Sequence, residues 1–77
     1  MTNRLTLTND WQLVGTGDSA MVQSSAVAIL YIGEAAPAEN APGFNAKWGI
    51  PVDYQLAPYG GSMWAKGKGV LTYVVAV

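Results

Sequence analysis

A chain of 77 residues, 51% hydrophobic and only 12% charged, has room for one thin-cored domain, because a chain this short buries only about 60% of the surface its unfolded form exposes. It has no cysteine and no histidine, which excludes disulfide support, thiolate chemistry and the usual general base near neutral pH. Four cations against five anions give a net charge of −1 and no electrostatic pull toward a polyanion.

Ordinary soluble domains carry about 25% charged residues. Here Arg4, Asp10, Asp18, Glu34, Glu39, Lys47, Asp53, Lys66 and Lys68 are all there is. They are too few to solvate a whole sphere, so either uncharged Thr, Ser, Asn, Gln and Gly do the solvating or part of the surface is shared with another protein; the second reading is favoured, since small folds without staples gain stability by oligomerising.

In chain order, residues 4–8 (RLTLT) place Leu5 and Leu7 on one face and Arg4, Thr6 and Thr8 on the other, the period of a half-buried strand. A short strand at 11–14 (WQLV) follows across Asn9 and Asp10. The stretch 15–19 (GTGDS) is dense in turn formers, because glycine supplies positive φ without strain and aspartate closes Asx turns. Strands are expected at 20–23 (AMVQ) and 27–33 (VAILYIG). The second is apolar on both faces, with Val27, Ile29 and Tyr31 on one and Ala28, Leu30 and Ile32 on the other; such a strand is central or is covered by another subunit.

Residues 34–43 (EAAPAENAPG) read as an extended loop, with Pro37 and Pro42 limiting any helix to about one turn. A short strand is expected at 44–48 (FNAKW), ended by Gly49. The segment 52–57 (VDYQLA) alternates again, Val52, Tyr54 and Leu56 inward and Asp53 and Gln55 outward, between Pro51 and Pro58, which mark strand ends because proline cannot donate to a ladder. The last two strands, SMWAKG and GVLTYVVAV, read as a closing hairpin turned at KGKG. Seven or eight short strands predict a single all-β domain over 1–77, an antiparallel sandwich or small barrel.

Enzyme and metal chemistry find little here, and no cofactor is expected. Asp10, Asp18, Glu34 and Glu39 fall in predicted turns or loops, GTGD is too short for a calcium loop, and the glycines do not form a phosphate loop. Trp64, Lys66 and Lys68 share a strand face as in nucleic-acid stacking platforms, but only Arg4 and Lys47 extend the patch; no nucleic-acid partner is expected. No run reaches the roughly 18 residues of a membrane helix. The start, MTNRLTLTND, lacks the apolar core of a signal peptide, so synthesis in the cytoplasm without an export signal is expected.

What remains is association. The apolar second faces of 27–32 and 70–77, anchored by Met63 and Trp64, give a predicted interface of Ile29, Tyr31, Met63, Trp64, Val70, Tyr73 and Val75. The alternative is a glycan-binding module using Trp48, Tyr54, Tyr59 and Trp64, since exposed aromatic faces serve sugars well and the fold class suits lectins.

From about residue 26 onward the order YIG (31–33), APAENAPG (36–43), GIPVDY (49–54) and GGSMWAKGKGVLTYVV (60–75) covers about two thirds of the chain. This order resembles short β-rich proteins encoded among the virion genes of tailed bacteriophages, in which a strand ending in Tyr and Gly precedes an Ala-Pro-rich loop and a Trp-Ala-basic stretch opens the closing hairpin. The resemblance implies a structural part of a phage particle: a capsid decoration, head-fibre or tail protein located in the virion. It further implies a homo-oligomer, a trimer favoured, bound to other virion proteins. The residues it carries over are Tyr31, Gly33, Pro37, Pro42, Gly43, Trp64, Ala65 and Lys66, none with a chemical role.

Overall fold

The short alternating runs fold, in a computed structural model that describes residues 2–46 and 49–77, as an all-β antiparallel sandwich. Its strands are β1 (Asn3–Thr6), β2 (Gln12–Thr16), β3 (Ser19–Ser24), β4 (Ala28–Gly33), β5 (Phe44–Asn45), β6 (Val52–Gln55), β7 (Ser62–Gly67) and β8 (Val70–Ala76), with a short 3-10 turn at Ala57–Tyr59. One sheet, A, has the order β1-β8-β3-β6, and the other, B, has the order β2-β7-β4-β5.

The closing hairpin expected at KGKG is not there: β7 lies in sheet B and β8 in sheet A. Residues 62–76 are one long strand bent at Gly67–Gly69. It runs antiparallel to β2 and β1 on one side (Thr16↔Ser62 through Asn3↔Tyr73) and to β4 and β3 on the other (Gly33↔Ser62 through Ser19↔Ala76). Hydrogen bonds continue through the bend, from Leu7 N to Gly69 O (2.9 Å), Gly67 N to Thr8 O (2.7 Å), Lys68 N to Val27 O (2.8 Å) and Ser25 N to Val70 O (3.0 Å).

The sandwich is thus a four-ribbon sheet folded in half, with strands switching sheets at a shared corner. Serines support the corner: Ser25 Oγ accepts from Val70 N at 2.8 Å, and Ser24 Oγ donates to Ala26 O at 2.5 Å. The fourth ribbon is shorter. Phe44–Asn45 pairs with Leu30 and Ile29, and Val52–Gln55 with β3. The expected strand at 44–48 is therefore two residues long, its 47–48 part lying outside the described residues.

Folding the sheet turns one set of alternate residues inward. Val22, Leu71, Leu5 and Tyr73 from sheet A meet Leu30, Ala65, Met63 and Val14 from sheet B, with Leu7, Leu56 and Ala46 filling the corner and ends. Val14 enters through a register shift in β2 between Leu13 and Gly15, a bulge that adds one residue to the strand and carries β2 into the predicted turn.

The end away from the crease is closed by Gly17–Asp18, which crosses from sheet B to sheet A. Gly17 N donates to Gly61 O (2.9 Å) and Asp18 N to Ala76 O (2.7 Å), while Asp18 O accepts from Leu56 N (2.8 Å) and Ala57 N (3.1 Å). The molecule measures only 16 Å along its shortest axis, so the core is one layer of side chains from each sheet.

Gly67 sits at φ 142° and a Cβ there would strike the Val27 carbonyl oxygen, whereas Gly49, at φ 68°, faces open space. Gly67→Ala is expected to lower stability by about 2 kcal/mol or more and Gly49→Ala by about 1 kcal/mol, as measured by denaturant unfolding.

Candidate functional site

The outward residues of sheet B form a second apolar layer. Register sets Trp64 of β7 between Leu13 of β2 and Tyr31 of β4, with Ile29 beside Lys66. Trp11, just before β2, completes an edge-to-face row: ring centroids lie 5.9 Å apart for Trp11–Tyr31 and 6.3 Å for Tyr31–Trp64, with interplanar angles of 61° and 64°. Such pairs contribute about 0.5–1.5 kcal/mol beyond area burial.

Residues 34–43 cross this face as a strap. The indole Nε1 of Trp11 donates to Ala38 O at 3.0 Å and Lys66 Nζ donates to Glu39 O at 3.0 Å. The same ammonium stands 4.6 Å from the centre of the Trp11 ring, a cation–π contact. Gly43 approaches so closely that a Cβ there would strike Leu30 O and touch Ile29 and Trp11. Under this cover Trp64 is 8% exposed, and Trp11, Ile29 and Tyr31 are half-buried.

The structure therefore divides the predicted interface. Ile29, Tyr31 and Trp64 do share one face, but the chain's own strap and Trp11 cover it, so the expectation that this face needs another subunit is corrected. Met63 points into the core with 0% exposure, because it alternates with Trp64 along β7 and cannot anchor a partner from there. Tyr73 and Val75 also pack inward against the core. Val70 alone of the β8 set lies on the outer face of sheet A, beside Arg4, Thr6, Gln23 and Thr72.

Among the described residues, the glycan-binding set does not share one face. Trp64 is covered and belongs to the outer face of sheet B, while Tyr54 leans toward Phe44 at a centroid distance of 5.4 Å. Trp48 lies outside the described residues. Tyr59 is the open one, 66% exposed. Trp64, the ring of the Trp64, Lys66 and Lys68 set, is likewise only 8% exposed.

Open apolar surface lies at Met21 on the outer face of sheet A, at Val27 and Ile50, and at the two edges of sheet B. On β2, Leu13 is 54% exposed; on β5, Phe44 is 39% exposed. Between Phe44 and Tyr59 runs a groove of about 440 Å³ whose other walls are Leu30, Tyr31, Ile32, Pro42 and Gly43. Phe44 and Trp11 were missed as site residues by sequence reasoning. The Phe44 ring beside a proline-glycine pair was the signal available, whereas nothing local marks Trp11 as the peg for a strap 27 residues away.

Among the described residues no three acidic, histidine or cysteine side chains group as metal ligands, and no helix is long and apolar enough to cross a membrane. No family model, curated protein or solved structure matches this chain.

Trp64→Ala is expected to cost about 3–5 kcal/mol and Trp11→Phe, which keeps a ring but loses the bond to Ala38, about 1 kcal/mol. Both are read by thermal or urea unfolding; an Ala variant as stable as the parent would contradict the burial described. Burial also raises the Tyr54 hydroxyl above its ordinary value of 10.0. The fold thus favours the neutral phenol, so its contribution is intact below about pH 10 and is lost as pH climbs through the folded value. Tyr54→Phe should flatten the alkaline fall of unfolding free energy.

Proposed function

We infer that this chain is a non-enzymatic structural protein of a tailed-bacteriophage particle, a capsid decoration, head-fibre or tail component that associates with copies of itself and with another virion protein. The observation carrying the reading is the exposure of Leu13, Phe44 and Tyr59 along both edges of sheet B. In a chain with so few charges, apolar groups at sheet edges are suited to contact with protein rather than water.

The resemblance gains coherence from its geography. Tyr31, Trp64 and Lys66 meet on one face of sheet B, and Pro37, Pro42 and Gly43 belong to the strap that crosses it. Residues distant in sequence thus build one structural unit, the covered aromatic face, that sets the position of the edges. The partner contacts move accordingly from that face to its borders.

Light scattering of the purified protein at micromolar concentration is expected to give a mass of at least two chains. Leu13→Ser and Tyr59→Ser are each expected to weaken association about tenfold, as for interface anchors, with unchanged circular dichroism. A parent protein that stays monomeric, or variants that associate undiminished, would overturn the self-association and its placement.

A further inference from the structure

The edge of β4 is only partly covered. β4 pairs with β7 along its whole length, from Ala28↔Gly67 to Gly33↔Ser62, but β5 pairs only with Ile29 and Leu30. Ala46 N donates to Ala28 O at 3.0 Å on that side, and Lys68 N reaches Val27 O on the other. In an extended strand the N–H and C=O of alternate residues point to the same side, so those of Leu30 and Ile32 also face the β5 side. β5 has ended by Ile32, which faces the groove flanked by Phe44 and Tyr59.

We propose that this slot binds an extended, uncharged segment of another protein, which adds a short strand to β4 beside Tyr31–Gly33 in place of the missing part of β5. It rests on the reading of the chain as a protein-binding structural component and names the chemistry of that partner. The slot is roughly 10 Å long, three residues at about 3.3 Å each. It is closed at one end by Phe44, paired with Leu30, and at the other by Gly60, which packs so tightly on Gly33 and Glu34 that a Cβ there would strike both.

Those end stops select the occupant. Only about three residues of β4 are open between Phe44 and the 59–60 turn, a length that suits a loose segment entering and leaving between them better than the longer edge of a folded sheet. A residue paired opposite Ile32 points its side chain the same way as Ile32, into the space bordered by Leu30 and Phe44. No lining side chain is charged, so a charged residue there would lose its hydration with nothing in return. The segment therefore presents an apolar residue inward, held by main-chain bonds to Ile32, the mode in which peptides extend a sheet edge.

Backbone NMR on the whole chain tests this with end-blocked peptides of about seven residues, alternating Thr and Ser around a central Val, Ile, Leu or Phe. In the free protein the Ile32 amide is expected to exchange far faster than those of Tyr31 and Gly33, which pair with β7. One or more peptides should bind with Kd below about 1 mM, shift the amides of 31–33 and slow Ile32 exchange at least tenfold. The same peptide N-methylated at its central residue should lose binding, and Tyr59→Ser should weaken it at least threefold.

Strong protection of Ile32 in the free protein, no shifts at 31–33 with any peptide, undiminished binding of the N-methylated form or an unaffected Tyr59→Ser variant would each overturn the proposal. A monomer in light scattering would remove self-association and leave these results standing.

Discussion

Three ribbons bending at one level are the constraint on which the molecule depends. A flat sheet of four strands would leave both faces in water, and 77 residues supply no second layer to cover either. By turning at Gly67–Gly69, with the β1–β2 and β3–β4 ribbons bending beside it at 7–11 and 25–27, the sheet becomes its own partner and a single set of alternate side chains forms a core. Main-chain bonds continue around the corner, with the Ser25 hydroxyl taking the Val70 N–H, so the change of direction leaves the ladder largely satisfied. Glycine is required because the Val27 carbonyl occupies the space a side chain would take.

The second layer shows how a charge-poor chain manages its surface. Sheet B is apolar on its outer side as well, and ten residues rich in alanine and proline lie over it, fastened by an indole N–H and an ammonium to two backbone carbonyls. Lys66 serves both as donor and as cation above the Trp11 ring. Apolar surface remains beyond the strap, at the edges of sheet B and also at Met21, Val27 and Ile50. The shortage of charge thus retains its meaning, but it concerns surfaces other than the covered face.

Much of this architecture was legible because period-two patterns report a local fact, which side of a strand a residue occupies. The inward set Val52, Tyr54 and Leu56 and the two apolar faces of 27–33 follow from it, and the turn at Gly17–Asp18 follows from its glycine and aspartate. KGKG was misread because two glycines between strands look alike in a hairpin and in a corner; only the partners decide, and here they are β1 to β4, as far as 70 residues away. Tyr73 and Val75 were assigned outward for a related reason, since a run apolar on both faces does not say which face meets the core. The strap was invisible for a different cause: its grip uses carbonyl oxygens, which every residue possesses, so nothing in EAAPAENAPG encodes the partners Trp11 and Lys66.

The placement of the last ribbon governs how the fold can be reached. In both sheets β7–β8 lies between the β1–β2 ribbon and the β3–β4 ribbon, so the first half of the chain has its strands spaced for a neighbour that comes last in sequence. Nearly every ladder waits on closing long loops, whose entropy must be lost before the pairing repays it. Until residues 62–76 slot in, the earlier ribbons hold open, unpaired borders, and any process that delays that insertion exposes them to foreign chains.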